Sequence, residues 1–148
     1  MDAEKNMEKY ETYKSMHDNL NKAMKAEFYY QAIFIEYAIF EDRLTSLLKY
    51  AGVPYLTKKG KDLKISDKIK KAKTESPFNA PYVRKRIPIE LLDQIWNWCD
   101  QRNTLVHHLA TVPYDHDSVK QLAEKGKLLI KLFAPKAKSV NEYHKKKA

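Results

Sequence analysis

The chain reads as an all-α domain, an up-and-down four-helix bundle with one short extra helix, and three observations carry that reading. Apolar residues recur three and four apart along four long stretches, the spacing that puts them on one side of a helix. Only 3 Gly and 6 Pro punctuate 148 residues, too few for the turn every ten residues or so that an all-β fold needs. A hydrophobic share of 43% beside 32% charged residues suffices for one core, and the length suits one domain over 1–148.

Residues 2–24 carry thinly spaced apolar positions (Met7, Tyr10, Tyr13, Leu20, Ala23, Met24), which predict a helix with a narrow buried face. Residues 26–50 are apolar almost all round in their first half and amphipathic in the second, as a helix buried at its centre requires, and Gly52 and Pro54 stop it. Thr57–Lys73 is lysine-rich, with Ile65, Ile69 and Ala72 at helical spacing: a loop and a short basic helix. The three prolines of SPFNAPYVRKRIP predict an irregular crossing, with Pro88 as the first residue of the next helix. That helix, 88 to about 110, has two adjacent apolar rows, Leu91, Ile95, Trp98, Leu105, Leu109 and Leu92, Trp96, Cys99, Val106, Ala110. So wide an arc calls for more than one partner. After a cap at Asp115 or Asp117 a last helix runs from about 118 to 133, Pro135 interrupts or ends it, and a basic, mobile tail is expected over about 136–148.

A formal net charge of +9 favours polyanions, with nucleic acid the first suspect, through long-range attraction and counterion release. Lys58, Lys59, Lys61, Lys68, Lys70 and Lys71, and a second cluster of Arg84, Lys85 and Arg86, are the candidate RNA-binding residues. The most apolar stretch, Phe28 to Phe40, is interrupted by Gln31 and Glu36 and too short to span a bilayer. One cysteine, Cys99, allows no internal disulfide; a reducing cytoplasm fits. In an apolar row it reads as core. His107, His108 and His116 with Asp115 and Asp117 match no common metal-ligand spacing, so neither metal nor cofactor is expected.

The polar residues that break the apolar rows carry the functional signal. Arg102 interrupts one row; Asn103 and His107, four apart, share the other. Arg102 and His107 are about 140° apart round an ideal helix, so only the long arginine side chain can converge on the imidazole. Glu36, set among Ile33, Ile35, Tyr37 and Phe40, is the acid placed to pair with Arg102 or orient the catalytic group; Arg43, on the same face, is its other partner.

The segment RNTLVH, Arg102 to His107, resembles the Arg-x4-6-His signature of the HEPN superfamily, including Asn directly after the Arg. With EYAIFEDRL in the second helix and the lead-in ELLDQIWNW, the resemblance covers residues 20 to 133. It implies a small helical bundle, commonly a homodimer, and a metal-independent endoribonuclease of the toxin–antitoxin, abortive-infection or CRISPR-linked defence type. Some members with similar folds are not nucleases, so the alternative is a catalytically silent helical module that binds RNA or a protein partner. An antitoxin or nucleotidyltransferase is an implied partner. Leu109, however, stands where some HEPN toxins carry the Tyr that such an enzyme modifies.

The residue types suit RNA cleavage by the 2′-hydroxyl, which needs a base, an acid and a cation for the phosphorane charge. Histidine is the residue type that can serve as either base or acid, which makes His107 the candidate, with His108 the alternative at family spacing; Arg102 presents a planar fork to phosphoryl oxygens, and Asn103 orients phosphate or imidazole. One His cannot comfortably be both acid and base. A homodimer pairing two copies of RNTLVH would supply the second, and the wide apolar arc of this helix is expected at its interface.

Overall fold

The computed structural model describes residues 2–148, which form an all-α bundle of six α-helices. These are α1 (Asp2–Lys25), α2 (Tyr29–Tyr50), α3 (Ile65–Thr74), α4 (Pro81–Arg86), α5 (Ile89–His107) and α6 (His116–Lys147), with a 3₁₀ turn at Ser76–Asn79. No described helix is long and apolar enough to cross a membrane.

The α1–α2 corner closes with the two hydrogen bonds of a Schellman cap, Phe28 N–H to the Ala23 carbonyl (2.8 Å) and Glu27 N–H to that of Met24 (3.2 Å). Glu27 occupies the left-handed position, φ 61°, where glycine is the usual residue. The end of α2 repeats the motif with Gly52 at φ 73° and Val53 N–H bonded to the Leu48 carbonyl. Pro54 follows, as the sequence predicts.

Helix α2 is the central element, packed on α1, α3 and α6, while α5 lies on α6 and α3. Its buried residues Ala32, Ile33, Ile39, Phe40, Leu44 and Leu47 meet Trp98, Ala123, Leu129, Ile130 and Phe133 in one core. Trp98 is enclosed, its ring 5.1 Å from that of Phe40 and its indole N–H donated to the Leu122 carbonyl at 2.9 Å. Gly126 of α6 lies where nothing larger fits: a Cβ there would stand 2.7 Å from Glu36 Cδ and 2.8 Å from Trp98 Cε2.

Several boundaries differ from the sequence reading. The proline-rich crossing is ordered into the 3₁₀ turn and α4, and Pro88 is the cap of α5, which starts at Ile89. Asp115 caps α6, accepting from the amides of Asp117 and Ser118. The expected mobile tail is instead the last third of α6: the helix runs through Pro135 to Lys147 and buries Ala137, Val140 and Asn141. The proline's cost, one lost hydrogen bond and a clash with the preceding turn, is offset by packing on both sides of it.

Candidate functional site

Arg102 lies in the penultimate turn of α5, half-buried. Its guanidinium carbon sits 4.1 Å from the centroid of Tyr37 and 5.5 Å from that of Phe34, both on α2, and Nη1 donates to Asn103 Oδ1 at 3.1 Å. Desolvation pushes the Tyr37 phenol above its usual range, so it faces the arginine as a neutral ring. No carboxylate of the described residues pairs with Arg102, and its Nε is buried without a partner. A cation held by aromatic faces, with no counter-charge, is equipped to accept an anion.

The other motif residues are near it in sequence but do not close a site around it. Asn103 lines a cleft of about 480 Å³ between α2, α3 and α5, together with Tyr37, Glu41, Ser66 and Trp96. His107, the last residue of α5, is exposed and lines neither this cleft nor the smaller one, about 270 Å³, onto which His108 opens with Tyr30, Leu105 and Val112. No hydrogen bond joins Arg102 to either histidine.

Glu36 is fully buried, and neither of its partners named from sequence reaches it. Arg102 turns to Tyr37 and Asn103, and Arg43 donates to Asp42 at 2.6 Å and lies 4.0 Å from the Tyr13 ring. Neither Glu36 oxygen makes a well-formed hydrogen bond. Burial drives its carboxyl up to about 9, outweighing the nearby Lys127 charge and amide, so at neutral pH it is a protonated group inside the core. Its position beside Gly126 and Trp98 makes it a packing element.

Two of the candidate RNA contacts are occupied. Lys68 is fully buried, donating to Thr45 Oγ1 at 2.7 Å and paired with Asp62 at 3.3 Å, where it ties the 51–64 loop to α2. Arg84 donates to the carbonyls of Ala72 and Lys73, satisfying the C-terminal end of α3. Lys58, Lys59, Lys61, Lys70, Lys85 and Arg86 are exposed, and Lys71 is half-buried.

The wide apolar arc of α5 is also mostly covered within the chain: Leu91, Leu92, Ile95, Trp98 and Cys99 are buried, leaving Trp96 exposed. Burial pushes the Cys99 thiol up to about 12. Of the apolar surface that does remain near the motif, only Leu109 belongs to a row named from the sequence. That surface consists of Phe34, Leu109, Val112 and Tyr114, each about half exposed, with Tyr30 beside them 5.3 Å from Tyr114. Among the described residues no three His, Cys, Asp or Glu side chains are grouped as a metal would need.

Comparison with family models, curated proteins and solved structures finds no match to this chain.

Proposed function

We propose that the chain is a HEPN-type, metal-independent endoribonuclease of a defence or toxin–antitoxin system, acting through Arg102 and His107 with Asn103 as a positioning residue. The observation that carries this reading is the state of Arg102: held by Tyr37 and Phe34, unpaired with any acid, and in the turn of α5 that leads to an exposed His107. In this reading Arg102 takes the developing charge of the phosphorane and His107 moves a proton at the 2′- or 5′-oxygen.

One chain presents these groups apart, so the working site is shared between two copies. The exposed patch of Phe34, Leu109, Val112 and Tyr114 flanks the motif, and a two-fold axis there would set both RNTLVH segments at one cleft and supply a second histidine. Purified protein is expected to cut RNA but not DNA, in EDTA, leaving a 2′,3′-cyclic phosphate. His107→Ala and Arg102→Ala should abolish cutting while circular dichroism and RNA binding persist. Salt-sensitive binding by the unmutated chain with no cleavage would establish the silent-module alternative; undiminished cutting by His107→Ala would place the chemistry elsewhere.

A further inference from the structure

Positive charge is gathered in two parts of the chain, the lysine-rich segment 57–73, whose Lys64 lines the cleft with Asn103, and a second region away from the motif. Residues 57–73 contain eight basic residues and two acids, a net of six, while segments 81–88 and 131–148 contain nine basic residues and one acid, Glu142, a net of eight; the rest of the chain is net acidic. The fold sets segments 81–88 and 131–148 side by side, because α4 packs on α6.

At their junction Tyr82 stacks on Tyr143, centroids 4.9 Å apart and planes 25° from parallel, and its hydroxyl is hydrogen-bonded to Ser139 at 2.9 Å. The Arg86 guanidinium carbon lies 5.3 Å from the Tyr82 ring and the Lys147 ammonium 4.8 Å from that of Tyr143. The Ser139 hydrogen bond first, and then the Arg86 and Lys146 charges, hold the Tyr82 phenol below the usual tyrosine range. Tyr82, Lys85, Arg86 and Lys136 line a depression of about 290 Å³. None of the basic residues in the two segments is paired with a carboxylate among the described residues.

We propose that this α4–α6 face is a binding track for the phosphate backbone of single-stranded RNA, separate from the Arg102 motif. Unpaired cations beside aromatic rings match a strand that offers phosphates and base faces together. A lipid surface fits less well, since Tyr82 is hydrogen-bonded to Ser139 and stacked on Tyr143, which holds the pair against the fold where inserting side chains would be free. Trp98, one turn before Arg102, meets α6 at Leu122, and about 25 Å of helix axis separates Leu122 from Ser139. A molecule touching both regions is therefore an extended polyanion and not a mononucleotide.

The test is an anisotropy titration of labelled oligouridine of about 20 nucleotides, at salt between about 50 and 200 mM, with His107→Ala as the parent so that cutting cannot interfere. The variant Lys85→Glu/Arg86→Glu/Lys136→Glu is compared with Lys58→Glu/Lys59→Glu/Lys61→Glu, which makes the same change in net charge on the 51–64 loop. The first should weaken binding at least about tenfold more than the second and flatten the plot of log K against log salt by about 2. Lys146→Glu/Lys147→Glu, in the exposed last turn of α6, should weaken binding in the same direction without touching the core. Equal losses from the two triple variants would overturn the proposal, since only net charge would matter. Binding to phosphatidylserine vesicles that needs this face, with RNA binding unchanged by its variants, would also overturn it and assign a membrane. Both outcomes are differences in binding, read on oligouridine shown to be intact on a denaturing gel after the titration, so neither depends on the nuclease reading.

Discussion

Replacing Glu36 by Gln tests whether a proton is bound inside the core. The folded chain holds that carboxyl protonated up to about 9, whereas an exposed glutamate gives up its proton around 4.5. Between these limits the folded state keeps a proton that the unfolded state has released, so stability is greatest at low pH and falls as pH rises, by about 1.4 kcal/mol per unit. From about pH 5 to about pH 7 the loss is on the order of 3 kcal/mol, a large part of the stability of an ordinary domain. Glu36→Gln exchanges one unpartnered neutral group for another of the same shape. The two proteins should therefore lie within about 1 kcal/mol of each other near pH 5, with the variant gaining about 1.4 kcal/mol on the wild type for each unit above it. In urea titrations with a slope of about 2 kcal/mol per molar, the difference between midpoints should widen by about 0.7 M per pH unit. Taking the difference cancels the other titrating groups. A gap that stays constant from about pH 5 to about pH 9 would show that Glu36 is ionised or well partnered in the fold, and would refute the reasoning.

Three further outcomes follow from the packing. Gly126→Ala gains about 1 kcal/mol of helix propensity but drives a methyl group into Trp98 and Glu36, costing about 1–3 kcal/mol; thermal melting should show a net loss. Glu27→Gly removes the strain of a left-handed non-glycine and should raise the melting temperature by about 2–4 °C, against a weak 3.5 Å hydrogen bond from Tyr29 that is lost. Cys99, buried with its thiol raised to about 12, should react with a thiol reagent only as fast as the chain unfolds; rapid native labelling would contradict its placement.

The four long helices were legible because burial follows periodicity: Leu20 and Ala23, Ile39 and Phe40, Leu92 and Ile95 all face inward. So were the stop at Gly52 and the core role of Cys99. Four features were not legible. Lys68 occupies the inward row Ile65, Ile69, Ala72, and its buried ammonium is explained only by Thr45 and Asp62, which are distant in sequence or in a loop. The spacing of Leu129 and Phe133 continues to Ala137 and Val140, yet Pro135 masks it. At the motif, periodicity set Arg102 in an inward row, where it is half-buried, but could not give its partners, because Tyr37 and Phe34 come from α2. Glu36 looked like an ion-pair partner since charged residues are rarely buried alone.

The two terminal helices are unequal in what they contribute, and this sets where the chain tolerates shortening. Before Tyr13 almost all of α1 is exposed, Met7 and Tyr10 included, and it is tied to the bundle by the Lys9–Ser46 hydrogen bond. At the other end Pro135 resembles a natural boundary, but Ala137 and Val140 beyond it are core residues and Tyr143 supports α4 through Tyr82. An expression fragment trimmed at the N-terminus to about Tyr13 thus keeps its core, whereas one cut at Pro135 opens the bundle under α4 and exposes Val83 and Phe78.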